Sequence, residues 1–163
     1  LKKILSSLHN FSVMSLQEKV MGEMKAAMRA KDSVKLEALR AVKSEILLAN
    51  TGSSSKDGLT EDEEMKLLQK LVKQRKDSAE IYKQQGREDL AEPELAQAAV
   101  IEEFLPEQLS EAEIEKEVDQ VITEIGATGM QDMGKVMGAS TARLAGRADG
   151  KTISAIVRKR LNK

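Results

Sequence analysis

The sequence predicts an all-α protein in two parts, an N-terminal helical bundle built on a hairpin and a small three-helix tail domain. Three observations carry this. Among 163 residues, aromatics make up 2% and prolines number two, a mix that favours helix over sheet. Apolar residues recur at three- and four-residue spacing through most of the chain. Three of those runs are preceded by a Ser/Thr-x-x-Glu signal, the capping box in which a side-chain oxygen and a carboxylate satisfy early backbone N–H groups.

The elements follow in order. Residues 1–13, LKKILSSLHNFSV, read as an upstream extension. They hold His9, the single histidine, which without cysteine neighbours is read as a surface side chain rather than a metal ligand or general base. Ser15 and Glu18 form the first capping box, and Val20, Met24, Ala27 and Met28 give the apolar face of a helix that ends near Asp32-Ser33. Leu36, Leu39, Val42, Ile46 and Leu47 mark a second helix, packed antiparallel on the first because the connection is short. TGSSSKDG at 51–58 reads as a loop. Its serines Ser54 and Ser55, beside Lys56, have the composition of an amidase catalytic set, but a short exposed linker offers no base, oxyanion hole or rigid support, so catalysis is not expected there.

Thr60 and Glu63 form the second box and open the longest helix, whose apolar face of Met65, Leu68, Leu71, Val72, Ala79 and Tyr82 runs to Gly86. Its opposite face, including Lys66, Lys70 and Lys73, reads as solvated surface. Pro93 is expected in the first turn of the next helix, with Leu95, Ala98, Ala99, Ile101 and Phe104 as its core stripe. Pro106 breaks the pattern. The domain boundary falls there, giving 14–105 and 107–163. In the second part, Ser110 and Glu113 form the third box before Ile114, Val118, Val121, Ile122 and Ile125. A helix over 130–144 turns Met133, Val136 and Met137 inward, and a last one from Thr152 turns in Ile153, Ile156, Val157 and Leu161.

No stretch approaches the roughly 20 apolar residues of a membrane span. The chain has no cysteine, which excludes disulfides, thiolate zinc sites and a cysteine nucleophile and fits a reducing compartment such as the cytoplasm. No metal site, cofactor motif or catalytic triad is found; GRADGK at 146–151 lacks the spacing of a phosphate-cradling loop. Charge is unevenly spread. Residues 86–125 carry 13 acids and 2 bases, a net of −11, whereas residues 126–163 carry 8 bases and 2 acids, a net of +6. A basic segment of this kind attracts polyanions. Gly134 and Gly138 lie on one face of a helix, where two interior glycines each cost about 1 kcal/mol relative to alanine. A close approach by another helix or by an RNA backbone would compensate.

The run from Leu68 to Glu115, with GATGMQDMGKVMG at 126–138 and GRADGKTISAIVRKRL at 146–161, resembles the YqeY-like family from about residue 14 to the end of the chain. The C-terminal half is similar to the tail domain of the B subunit of the aspartyl/glutamyl-tRNA amidotransferase, which grips the tRNA body while the chemistry lies elsewhere. That resemblance implies a noncatalytic tRNA-binding accessory protein, with tRNA and components of the amidotransferase or of an aminoacyl-tRNA synthetase as partners. By motif it marks Gly134, Lys135, Met137 and Gly138 in the first string and Gly146, Arg147, Ala148 and Gly150 in the second; with Arg143 and Lys151 as further cations able to neutralise phosphates, the expected RNA-binding set is Gly134, Lys135, Gly138, Arg143, Gly146, Arg147 and Lys151. The stretch ASTARLAG at 139–146 departs from the family's ALMPKVKG pattern, so Ala145 stands where a lysine is common. Two other readings remain. One is a protein-binding adaptor using the acidic segment, and the other is a component of a carbon-nitrogen ligase system with glutamine as amide donor, for which no nucleophile and base are present. With two Phe, one Tyr and no Trp, base-stacking platforms are absent, and a folded RNA met through its backbone is the expected target.

Overall fold

A computed structural model describes residues 14–52 and 58–162 and contains no strand among them. Helices α1 (Leu16–Ala30), α2 (Ser33–Gly52), α3 (Glu61–Gln84) and α4 (Glu88–Glu102) are followed by α5 (Glu111–Ile125). A 3-10 turn (Met130–Asp132) then leads into α6 (Met133–Arg143), and α7 (Gly150–Leu161) completes the chain. His9, Ser54, Ser55 and Lys56 lie outside the described residues.

The caps determine where helices begin. Ser15, Thr60 and Ser110 are each N-caps in extended backbone, accepting from the N–H of Glu18, Glu63 and Glu113. Only Ser110 and Glu113 complete the reciprocal box, the Glu113 carboxylate accepting from the Ser110 N–H at 2.8 Å. Losing such a cap typically costs about 1 kcal/mol. Asp32 accepts from the Lys35 N–H at the start of α2, and Asp149 accepts from both the N–H and the hydroxyl of Thr152 at the start of α7.

Four boundaries differ from the sequence reading. α2 runs through Thr51 and Gly52, two residues into the expected loop. α4 begins at Glu88 and therefore carries Pro93 in its second turn, because Glu88 and Asp89 favour the positive end of a helix as strongly as the proline favours its start. The segment 130–144 is a 3-10 turn and then an α-helix. α7 starts at Gly150, since Asp149 rather than a residue nearer Thr152 supplies the cap.

Two hydrophobic clusters form. The first draws Leu16, Val20 and Ala27 from α1, Ala38, Leu39, Val42 and Ile46 from α2, Leu68, Leu71 and Val72 from α3, and Ala98 and Ile101 from α4. The second draws Ile114, Val118 and Val121 from α5, Val136 and Leu144 from α6 and its end, and Ile153, Ile156, Val157 and Leu161 from α7. In each cluster the buried positions recur at intervals of three, four, seven or eight, with adjacent pairs at Ala38/Leu39, Leu71/Val72 and Ile156/Val157, so that each set lies on one face of its helix. Some expected core residues face solvent: Met28, Leu47, Leu95 and Ile125 are exposed, as is Ala99, while Ala91 is buried instead. α1 packs on α2, α2 on α4, and α4 along α3; α5, α6 and α7 pack on one another. Every closely packed pair of helices lies within one cluster's set.

Candidate nucleic-acid interface

The charge asymmetry of the sequence is partly consumed inside the tail. Arg143 on α6 pairs with Glu124 at 2.5 Å and lies 4.0 Å from Glu117, both on α5. Arg160 on α7 pairs with Glu115 at 3.1 Å and with Asp119 at 3.3 Å, and Lys159 reaches Glu115 at 3.6 Å. The acidic helix α5 is thus the counterpart of its own basic neighbours, and three of the basic residues behind the +6 segment are engaged at home.

What remains is narrower. Lys135 and Lys151 are exposed and have no carboxylate within ion-pair distance among the described residues, and the same holds for Arg158. Lys151 and Arg158 stand seven residues apart and so share one exposed face of α7. Arg158 is a cation the sequence reading passed over; its only signal was the basic last turn, which a helix dipole explains equally well.

The paired glycines are open. Gly134 and Gly138 are exposed, and a Cβ built on either would meet no atom within 4 Å beyond the helix's own backbone. Among the described residues no other helix packs against them. Thr141, Ala142 and Ala145 continue the exposed strip, so this face of α6 presents little but small side chains with Lys135 beside them. Ala145, in place of the family's common lysine, leaves the strip uncharged at that end.

Gly146 and Arg147 lie in the loop after α6, Gly146 on the same cleft as Gly138 and Ala145. Gly146 is buried with φ +76, a conformation that favours glycine, and a Cβ there would lie 2.5 Å from Met65 Sδ and 3.4 Å from the Pro106 ring. Arg147 is half-buried, its Nη2 donating to the Arg143 carbonyl at 3.3 Å. Gly138, Ala142, Ala145 and Gly150 line one wall of a cleft of about 510 Å³ whose other wall is α3, through Met65, Lys66 and Gln69. Lys151 lines a neighbouring cleft of about 210 Å³ with Lys73, Lys76, Asp77, Glu102 and Asp149. That cleft is balanced in charge. Lys73 Nζ donates to Asp77, which raises its pKa, and Asp149 adds to the effect.

The seven expected RNA-binding residues therefore separate into three settings. Gly134, Lys135 and Gly138 form an open strip on α6; Arg143 faces α5; Gly146 and Arg147 belong to the α6–α7 loop, with Lys151 just beyond it. Among the described residues no group of three His, Asp or Glu side chains could hold a metal ion. No helix among them is long and apolar enough to cross a membrane.

Similar proteins give the chain its context. The glutamyl-tRNA(Gln) amidotransferase E subunit of Thermococcus gammatolerans is 33% identical over 133 residues, which cover 79% of this chain and 20% of that subunit. The mitochondrial protein named altered inheritance of mitochondria 41 of Pyrenophora tritici-repentis is 31% identical over 132 residues, covering 80% of this chain and 71% of that protein. Its namesake in Clavispora lusitaniae is 36% identical over 110 residues, 64% of this chain and 61% of that protein. The chain thus spans a fifth of the archaeal subunit's length and most of the fungal one's. The family model described as Yqey-like protein matches residues 17–161, and the chain belongs to that family.

Proposed function

We propose that this protein is a noncatalytic tRNA-binding accessory factor whose tail meets a folded tRNA through its sugar–phosphate backbone. One observation carries the reading: the face of α6 bearing Gly134 and Gly138 is free of side-chain bulk, and a Cβ at either glycine would meet no atom within 4 Å beyond the helix's own backbone, with the exposed cation Lys135 beside it and Lys151 and Arg158 on α7. Two interior glycines weaken a helix, and here no packing within the chain offsets that cost. A backbone approaching closely, with lysines neutralising phosphates, would offset it. The likeness to a subunit whose name ties it to glutamyl-tRNA(Gln) amidation supports the same reading and makes amidotransferase or aminoacyl-tRNA synthetase components the protein partners to test. Arg143 and Gly146 support the surface from behind in this reading rather than touching RNA.

Catalysis is not assigned. Around the tail, cations and carboxylates pair with one another, and the Thr152 hydroxyl that donates to Asp149 belongs to a helix cap. The cytoplasm is the compartment this reading expects, and the mitochondrial names of the fungal relatives make organelle fractions the control. A specific observation favours a second reading, a protein adaptor: Leu47 and the neighbouring Leu48 on α2 are exposed, Leu48 to 69%. Cross-linked RNA sequenced together with co-purified protein from one sample tests both. Enriched tRNA is the expected result, and a protein partner without RNA replaces the first reading by the second.

A further inference from the structure

The α6–α7 loop makes three successive backbone contacts outside its own turn. The Gly146 carbonyl accepts from Gln108 Nε2 at 2.6 Å, the Arg147 carbonyl accepts from the Leu109 N–H at 2.9 Å, and the Ala148 carbonyl accepts from Gln69 Nε2 at 3.2 Å. Gln108 Nε2 also donates to the Pro106 carbonyl at 2.9 Å, tying the connection between the two clusters to the same point. Gly146 fits there because it has no Cβ: Met65 Sδ occupies the space a side chain would need, and its φ of +76 is one that other residues adopt only with strain. Gln69 and Met65 belong to α3, on the first cluster; the loop and α7 belong to the second.

This matters because no helix of one cluster packs along a helix of the other. Small interfaces of that kind leave relative motion as the default. We infer that the α6–α7 loop is a clasp, in which Gln69 and Gln108 act as positioning residues that hold the tail in one orientation on α3. The clasp supplies hydrogen bonds to carbonyls that a loop following a short helix would otherwise leave to water. Since α3 and α6 line one cleft, through Lys66 on one and Gly138 and Ala142 on the other, the clasp also sets the width of that cleft. It operates with or without RNA.

Residual dipolar couplings of the full chain test it. The wild type should fit one alignment tensor across α1–α7. In the double variant Gln69→Ala/Gln108→Ala the two clusters should require separate tensors, while the amide shifts of Val42 and Leu68 in one core and Val118 and Val136 in the other stay in place. The near-isosteric pair Gln69→Glu/Gln108→Glu, which at neutral pH has no side-chain N–H to donate, should lose the common tensor in the same way and covers the case in which the alanine pair fails to fold. Separate tensors in the wild type, or a single shared tensor in the substituted chains, would overturn the clasp.

Discussion

The guanidinium of Arg143, on α6, meets the carboxylate of Glu124, on α5, at 2.5 Å. This pair joins two helices of the second cluster at its rim, where the Arg143 side chain is 31% exposed. We expect Arg143→Ala to lower stability by no more than about 1 kcal/mol, the upper range for partly exposed ion pairs. Its effect should shrink as salt rises. A denaturant titration at low and high salt checks both points, and a loss that grows with salt would show that the guanidinium acts through packing instead.

Ser140 is wholly buried on α6, and its hydroxyl has no hydrogen-bond partner among the described residues. A buried hydroxyl without a partner costs roughly 1–3 kcal/mol. Ser140→Ala removes that group and replaces serine by the best helix former, so the variant should melt higher than the wild type, by about 1 kcal/mol of added stability. An unchanged or lower melting temperature would mean that the hydroxyl is satisfied in solution.

Glu64, on the first turns of α3, has its pKa raised above the ordinary 4.5, chiefly by burial and then by the neighbouring Glu61, with Lys19 opposing. The sign follows from linkage. A carboxyl whose folded-state pKa is raised favours folding when protonated, so its contribution is present at pH values below its unfolded pKa and is lost as pH rises through the folded one. Glu64→Gln should therefore melt higher than the wild type at neutral pH, and the gap should close as pH falls through 4.5. Because the side chain is only partly buried, the effect is small. A constant gap across that range would remove the carboxylate as its cause.

Local chemistry was legible in the sequence and long-range contact was not. Ser15, Thr60 and Ser110 could be read as caps because each cap and its partner lie three residues apart, and the stripes Val118/Val121 and Ile153/Ile156/Val157 could be read from helical spacing. Pro93 misled because a proline at a helix start and one in the second turn look alike when the N-cap, Arg87, makes no side-chain cap bond. Gly146 was visible as a turn glycine, but its neighbours Met65 and Gln108 carry no spacing that links them to it. Gln69 is 79 residues from the carbonyl it serves. The +6 of the tail was legible as a sum; which cations are free depends on the packing of α5 against α6 and α7.

The two clusters lead us to expect that residues 107–163 fold without the rest of the chain. Ile114, Val118, Val136, Leu144 and Val157 are buried against one another rather than against α1–α4. The fragment should show a cooperative helical melt by circular dichroism, at lower temperature than the full chain because small domains bury a smaller share of their surface. A gradual, non-cooperative loss of helicity would show that the tail needs α3 to fold.

The open face of α6 is the surface on which the proposal of tRNA binding depends. If Lys135, Lys151 and Arg158 meet phosphates, log affinity for tRNA falls linearly with log salt, by roughly 0.7 to 0.9 per contact. Lys135→Ala with Lys151→Ala should make that slope shallower by about 1 to 2 and weaken binding to all tRNAs alike. Arg143→Ala should leave the slope nearly unchanged, since its charge is already paired with Glu124. Gly138→Leu separates packing from binding. No protein atom lies within 4 Å of the added Cβ beyond the helix's own backbone, so the variant should gain somewhat under about 1 kcal/mol from helix propensity and melt slightly higher. The same side chain would stand in the path of an approaching backbone and should reduce tRNA affinity. Higher melting with tRNA affinity retained would show that RNA does not approach this face, and wild-type protein that binds no tRNA even in low salt would leave the adaptor reading in its place.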